Sequence, residues 1–182
     1  MSKLNNPLDV RSIELSKSKK TALTAVMAAL IAVTTMIAIP LPPPLSTINL
    51  APIAIFAVSI LLGLKVGVVS TAIGCAIGYL VGTSMGMIVI PPGFLYIYLV
   101  GLIAARTPMA FITGALRKKN EIAGMALGVT TETLIFFVID FALFGLAFAI
   151  FDFAVFADLV FIPVTFVVLL GVRKVFGANY LA

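Results

Sequence analysis

Residues 122–150 read IAGMALGVTTETLIFFVIDFALFGLAFAI, and only Glu132 and Asp140 in this stretch are charged. A helix needs about 20 apolar residues to cross the hydrocarbon core of a bilayer. The stretch is long enough to cross with a tilt or with a break near Gly145. It predicts a membrane-spanning helix.

The composition supports the same interpretation for the whole chain. Of its 182 residues, 62% are hydrophobic and 10% are charged, whereas soluble domains are about 45–50% apolar and about 25% charged. A soluble domain of this size cannot hide such an excess, because much of its surface stays exposed. The length suits one domain. We therefore expect an integral, multi-pass protein of the cell membrane.

Five further apolar runs accompany the first, at residues 21–39, 49–64, 66–82, 94–116 and 160–172. The run at 21–39 ends in the proline-rich residues 40–44, where a helix must stop because proline lacks the amide hydrogen. We expect Arg106 and Pro108 to interrupt the run at 94–116. The pattern predicts an all-α membrane bundle of six transmembrane helices over residues 21–182, preceded by a cytoplasmic segment at residues 1–20.

The basic residues predict the orientation. They precede the first run, separate the second from the third and the fourth from the fifth, and follow the sixth: Lys3, Arg11, Lys17, Lys19, Lys20, Lys65, Arg117, Lys118, Lys119, Arg173 and Lys174. The connections at 40–48, 83–93 and 151–159 contain no lysine or arginine. Because lysine and arginine concentrate in cytoplasmic loops, this alternation predicts that both termini are cytoplasmic.

Two charged residues are predicted to meet inside the membrane. Arg106 lies eleven positions before Arg117, and Glu132 lies eleven positions after Glu121. If their helices are antiparallel neighbours, both lie roughly 16 Å from the inner boundary. We expect an ion pair, which either locks two helices together or lines a substrate pocket. Asp140 lies two turns further outward.

The outer ends of the predicted spans carry polar and aromatic residues, which suit a pocket for a small ring-containing solute. Tyrosines at span ends also serve as interfacial anchors, so both roles stay open. The outer face has acids and no bases, which favours a neutral or cationic solute. The candidate substrate-binding residues are Asn49, Tyr79, Thr83, Tyr96, Tyr98, Arg106, Glu132, Asp140 and Asp152.

The motifs of several other functions are missing. The sequence contains no histidine and no GxxxxGK[ST] phosphate loop, so it offers no histidine general base and no ATP hydrolysis by that route. The basic residues are scattered over the inner loops, unlike a nucleic-acid groove. We expect no catalytic residue, no metal site and no cofactor.

Several short strings occur in the order seen in one transporter family. TAVMAALIAV at 24–33, IPLP at 39–42, NLAP at 49–52, LLGLKVG at 61–67, PGF at 92–94 and GLIA at 101–104 together resemble the S component of energy-coupling factor (ECF) transporters. The resemblance implies a subunit that captures a vitamin outside and delivers it inward by toppling in the membrane.

The resemblance also implies partners. A transmembrane coupling subunit, driven by two ATPase subunits, would dock on the first three spans. Ala25, Ala29 and Ala32 are the docking candidates, since small residues four apart stack on one helix face and permit close helix approach.

The substrate and two rival functions stay open. The signature residues of the riboflavin, thiamine and biotin members cannot be matched, and the amino-terminal histidine of nickel and cobalt members is missing. One alternative is a self-sufficient channel or secondary carrier of small solutes. Another is a membrane-embedded enzyme that uses Glu132 or Asp140 as an acid or base.

Overall fold

The computed structural model describes residues 17–40, 47–88, 93–155 and 157–176. Within them lie seven α-helices: α1 (Lys17–Met36), α2 (Ala51–Leu62), α3 (Leu64–Ser84), α4 (Leu95–Leu116), α5 (Glu121–Phe144), α6 (Leu146–Val155) and α7 (Phe161–Phe176). Two short strands, β1 (Ala38–Pro40) and β2 (Thr47–Asn49), and a 3-10 helix at Ala157–Val160 complete the described elements.

Four of these helices can cross a membrane by length and composition. They are α1, α3, α4 and α5, with 20, 21, 22 and 24 residues. At about 1.5 Å per residue they are roughly 30–36 Å long, which matches a hydrocarbon core of about 30 Å. The all-helical membrane class is confirmed. The count of six crossings stays a prediction, because α2 has 12 residues and α7 has 16.

Helix α2 is shorter than the predicted run at 49–64. The Asn49 side chain accepts a hydrogen bond from the amide of Ala51 at 3.2 Å, and Pro52 occupies the first turn. Gly63 then ends the helix with φ at 87°, a conformation that favours glycine. Because of these residues, α2 begins two residues after and ends two residues before the predicted run at 49–64.

Two predictions about helix interruptions have different outcomes. Helix α4 continues through Arg106 and Pro108, so the expected interruption there is wrong. In a membrane bundle, neighbouring helices can provide a hydrogen-bond partner for the backbone carbonyl that a proline leaves unpaired. Of the two alternatives left open for residues 122–150, a tilt or a break, the structure has the break, since Gly145 separates α5 from α6 with φ at 87°.

Two predicted loops contain regular structure. Residues 151–155 belong to α6, because the apolar sequence after Gly145 starts a new helix. In the first loop, β1 pairs with β2 in antiparallel register, with Ala38 opposite Asn49. The loop prediction missed this ribbon, since the prolines there argued only against helix.

The closest helix contact joins α1 to α3. A Cβ atom placed on Gly74 would lie 2.6 Å from the Ala28 carbonyl oxygen, and one on Gly78 would lie 2.5 Å from the Ala32 carbonyl oxygen. The two helices therefore run parallel with their backbones in contact. Ala32 is 6% exposed, so it belongs to this internal contact and not to a free docking face.

The remaining helix pairs place the basic residues at one end of the bundle. Helix α4 runs antiparallel to α3, with Gly114 against Leu64 and Tyr79 hydrogen-bonded to Leu95. Helix α5 runs antiparallel to α4, and Arg173 of α7 pairs with Glu121 of α5. The ends that carry Lys17, Lys65, Lys118 and Arg173 thus meet at what we call the basic end.

Gly78 should tolerate no side chain. Replacing Gly78 with alanine puts a methyl group against the α1 backbone, which must separate the two helices. We expect the midpoint of thermal unfolding in detergent to fall by on the order of 5 °C, since overpacking costs about 1–3 kcal/mol. Gly171→Ala is the matched control, because nothing lies within 4 Å of its Cβ position. Equal midpoints for the two variants would contradict the packing.

Candidate functional site

An ion pair lies in the middle of the bundle. Arg106 Nε lies 2.9 Å from Glu132 Oε1, and the two side chains are 5% and 2% exposed. Arg106 is eleven residues from the start of α4, and Glu132 is eleven residues from the start of α5. The predicted ion pair is confirmed, at the middle of two helices long enough to cross a membrane.

The antiparallel register of α4 and α5 explains why these charges meet. Tyr98 lies eight residues before Arg106, Asp140 lies eight residues after Glu132, and these two residues also contact each other. Gly128 keeps the two helices close, since a Cβ atom there would lie 3.1 Å from the carbonyl oxygen of Met109. One register thus positions both polar pairs.

Three further residues surround the ion pair. The thiol of Cys75 on α3 lies close to Arg106 and Glu132, and Thr35 on α1 lies close to that thiol. Asp158 of the 3-10 helix also interacts electrostatically with Arg106. The charged pair of α4 and α5 is therefore surrounded by groups from three other elements. The sequence signalled none of them, although the small residues of α3 indicated close packing.

A second polar layer lies nearer the end opposite the basic end. The Tyr98 hydroxyl donates a hydrogen bond to Asp140 Oδ1 at 3.1 Å, and Asp140 is 2% exposed. The Tyr79 hydroxyl donates to the carbonyl oxygen of Leu95 at 3.2 Å. These contacts tie the ends of α3, α4 and α5 together.

An aromatic cluster adjoins this layer. The Phe144 ring lies 5.4 Å from Phe94, 6.4 Å from Tyr98 and 4.8 Å from Phe148, measured between centroids. These are ordinary distances for interacting aromatic rings. A flat aromatic solute could stack in such a cluster beside the Tyr98–Asp140 hydrogen bond.

The other predicted substrate residues are dispersed. Asn49 accepts a hydrogen bond from the Ala51 amide before α2, and Thr83 donates its hydroxyl hydrogen to the Tyr79 carbonyl oxygen at 2.7 Å. Tyr96 is 73% exposed on α4, so it faces away from the interior. The side chain of Asp152 lies outside the described residues.

A separate apolar groove of about 460 Å³ lies at the end of α1 opposite the basic end. Its lining residues are Val33, Met36, Ile37, Ala38 and Met87. They include no charged group, so the groove offers volume without polar recognition. No cluster of metal ligands occurs among the residues that the structure describes.

The docking candidates separate into two sets. Ala25 and Ala29 are exposed on α1, beside the exposed Val26 and Leu30. Ala32 is turned inward against α3, as described above. An apolar face with two small residues is thus available on the outside of the bundle.

Two ion pairs that differ in exposure allow a matched test of burial. Glu132→Gln removes the carboxylate that contacts the buried Arg106, and breaking a buried pair costs about 3–5 kcal/mol. Glu121→Gln makes the same chemical change in the more exposed pair with Arg173, where about 0–1 kcal/mol is expected. Thermal unfolding in detergent measures both losses. A loss of similar size in the two variants would contradict the account of the buried pair.

The comparisons with known proteins identify one family. The family model described as "ECF-type riboflavin transporter, S component" matches residues 15–176. No curated protein and no solved structure shows significant similarity to the chain. The match covers every described helix. The family is one of membrane-embedded, substrate-binding transport subunits and not of enzymes. The chain belongs to the ECF-type riboflavin transporter S-component family.

Proposed function

We propose that the protein captures riboflavin, or a flavin of the same ring chemistry, outside the cell. It then delivers the substrate inward with a transmembrane coupling subunit and two ATPase subunits. The family description names riboflavin, and this vitamin is neutral and aromatic. The base-free outer face favoured a neutral or cationic solute, so the substrate is compatible with the charge pattern.

The observation that carries the proposal is the aromatic cluster beside the Tyr98–Asp140 hydrogen bond. Phe94 and Tyr98 each lie within stacking distance of Phe144, and Asp140 adds a buried acceptor. The flavin ring system is flat, with an imide edge that both donates and accepts hydrogen bonds. Apolar surface with a few convergent polar groups is typical of small-molecule sites.

We place this cluster toward the outside and both termini in the cytoplasm. The basic end carries Lys17, Lys65, Lys118 and Arg173, which the positive-inside rule places on the cytoplasmic side. In this arrangement α2 and α7 complete six crossings, and α6 lies near the outer surface. The substrate then reaches Tyr98 and Asp140 from outside without passing the ion pair.

We further propose that the coupling subunit docks on the exposed face of α1. Ala25 and Ala29 present little side-chain volume there, which permits close approach of another helix. Val26 and Leu30 extend the same face with 60% and 46% exposure. This face is separate from the aromatic cluster on α4 and α5.

Tyr98 and Tyr96 provide a matched pair for the binding site. Tyr98→Phe removes the hydroxyl that orders Asp140, and we expect riboflavin affinity to fall roughly ten- to hundredfold, as for the loss of one hydrogen bond to a charged group. Tyr96→Phe removes the same atom from an exposed side chain and should leave affinity unchanged. Quenching of flavin fluorescence in titrations of the purified protein measures both. Unchanged affinity in both variants would remove Tyr98 from the site, and no flavin binding by the wild type would refute the substrate.

The docking face can be tested separately from binding. Ala25→Leu with Ala29→Leu fills the face, so we expect loss of co-purification with the coupling subunit while riboflavin affinity is retained. Ala104→Leu makes the same type of substitution once, at an exposed alanine on α4, and should leave the complex intact. An intact complex in the α1 double variant would exclude this face as the docking site.

A further inference from the structure

The Arg106–Glu132 pair uses only part of its hydrogen-bonding capacity. One bond joins Arg106 Nε to Glu132 Oε1. Arg106 Nη1 and Glu132 Oε2 are both buried, and neither has a hydrogen-bond partner among the described residues. An arginine and a carboxylate often pair through two parallel bonds, whereas here each group keeps one unused atom inside the bundle.

Such atoms are costly to leave unpaired. Removing a polar or charged group from water without a replacement hydrogen bond is unfavourable, and the penalty is greater in a low-dielectric interior. Buried polar groups are therefore nearly always paired with protein atoms or with an ordered molecule. The two unused atoms indicate that a partner outside this chain's own side chains binds here.

The surrounding residues do not supply that partner. Cys75 and Asp158 lie near the pair, but neither makes a hydrogen bond to Arg106 Nη1 or to Glu132 Oε2. The Thr35 hydroxyl already donates its hydrogen to the carbonyl oxygen of Ile31 at 2.8 Å. Met109 and Val129, from the adjoining turns, are apolar and fully buried. Thr71 lies one turn from Cys75 on the same face of α3, and its own hydroxyl is buried without a partner. Thr71 thus adds a third unused polar atom and satisfies neither of the other two.

The chemistry of the two atoms restricts what can bind. Nη1 can only donate a hydrogen bond, and the carboxylate Oε2 can only accept one. A cation would be repelled by the guanidinium, and an anion by the carboxylate. An uncharged hydroxyl both accepts and donates, so it satisfies both atoms at once.

We propose that Arg106 Nη1 and Glu132 Oε2 together bind one uncharged hydroxyl group in the middle of the bundle. Its source is either a water molecule or a hydroxyl of the substrate's ribityl chain. The second source rests on the proposed function, whereas the first does not. Water bridging of this kind is common between buried polar groups.

The decisive experiment is a high-resolution crystal structure of the full chain without added flavin and with saturating riboflavin. We expect one oxygen-sized density peak within about 2.7–3.2 Å of both Nη1 and Oε2. An unoccupied position in both crystals, a two-bond ion pair, or an ion in place of an oxygen atom would overturn the proposal. If the protein binds no flavin, the proposed function fails, but the flavin-free structure still decides this site.

The source of the hydroxyl is assigned with two ligands and two variants. Lumiflavin has the flavin ring without the ribityl chain. If the hydroxyl is the substrate's, Glu132→Gln weakens riboflavin binding about tenfold more than lumiflavin binding, as for the loss of one hydrogen bond to a charged group. If it is water, the variant changes both affinities equally and the peak is present with either ligand. Glu121→Gln is the control and should change neither affinity. If Glu132→Gln does not fold, the wild-type density with riboflavin and with lumiflavin makes the same distinction.

Discussion

Arg106 and Glu132 constrain the arrangement of the whole bundle, because neither charge is tolerated alone in an apolar interior. Insertion of a single charge at bilayer depth costs about 2.5–3.5 kcal/mol, so each residue requires the other at contact distance. The 2.9 Å contact fixes how far α4 may slide along α5. The same register brings Tyr98 to Asp140 two turns away. A charged layer at the centre and an aromatic layer near one end are thus consequences of one helix pairing.

The ion pair also connects the two halves of the bundle. Cys75 on α3 lies close to the pair, and Thr35 on α1 lies close to Cys75. Helices α1 and α3 are in turn packed together through Gly74 and Gly78. The proposed docking face belongs to the α1–α3 pair, and the proposed substrate cluster belongs to the α4–α5 pair. The two helix pairs meet at the buried ion pair.

The sequence predicted the ion pair because the pairing depends only on distances along the chain from one short turn. Two antiparallel helices joined by a short turn place residues at equal distances from the turn at equal depth, and Arg106 and Glu132 satisfy that count. The length of the run at 122–150 left a tilt or a break at Gly145 open, and the sequence could not choose between them. The inward position of Ala32 was not, since Ala25, Ala29 and Ala32 look alike in sequence and only α3 distinguishes them. The contacts of Cys75 and Asp158 depend on how distant segments pack, and short strings carry no information about them.

No single motif in the sequence identified the substrate. The family match depends instead on the pattern of residues over the whole of 15–176.

A capture subunit differs from a carrier in one measurable respect, which is transport by the chain alone. The direct test is riboflavin flux into liposomes that contain the purified protein, with and without the coupling subunit and the ATPases. The account predicts binding without flux for the protein alone, and uptake only when the partners and ATP are present. Riboflavin accumulation driven by the chain by itself would contradict it.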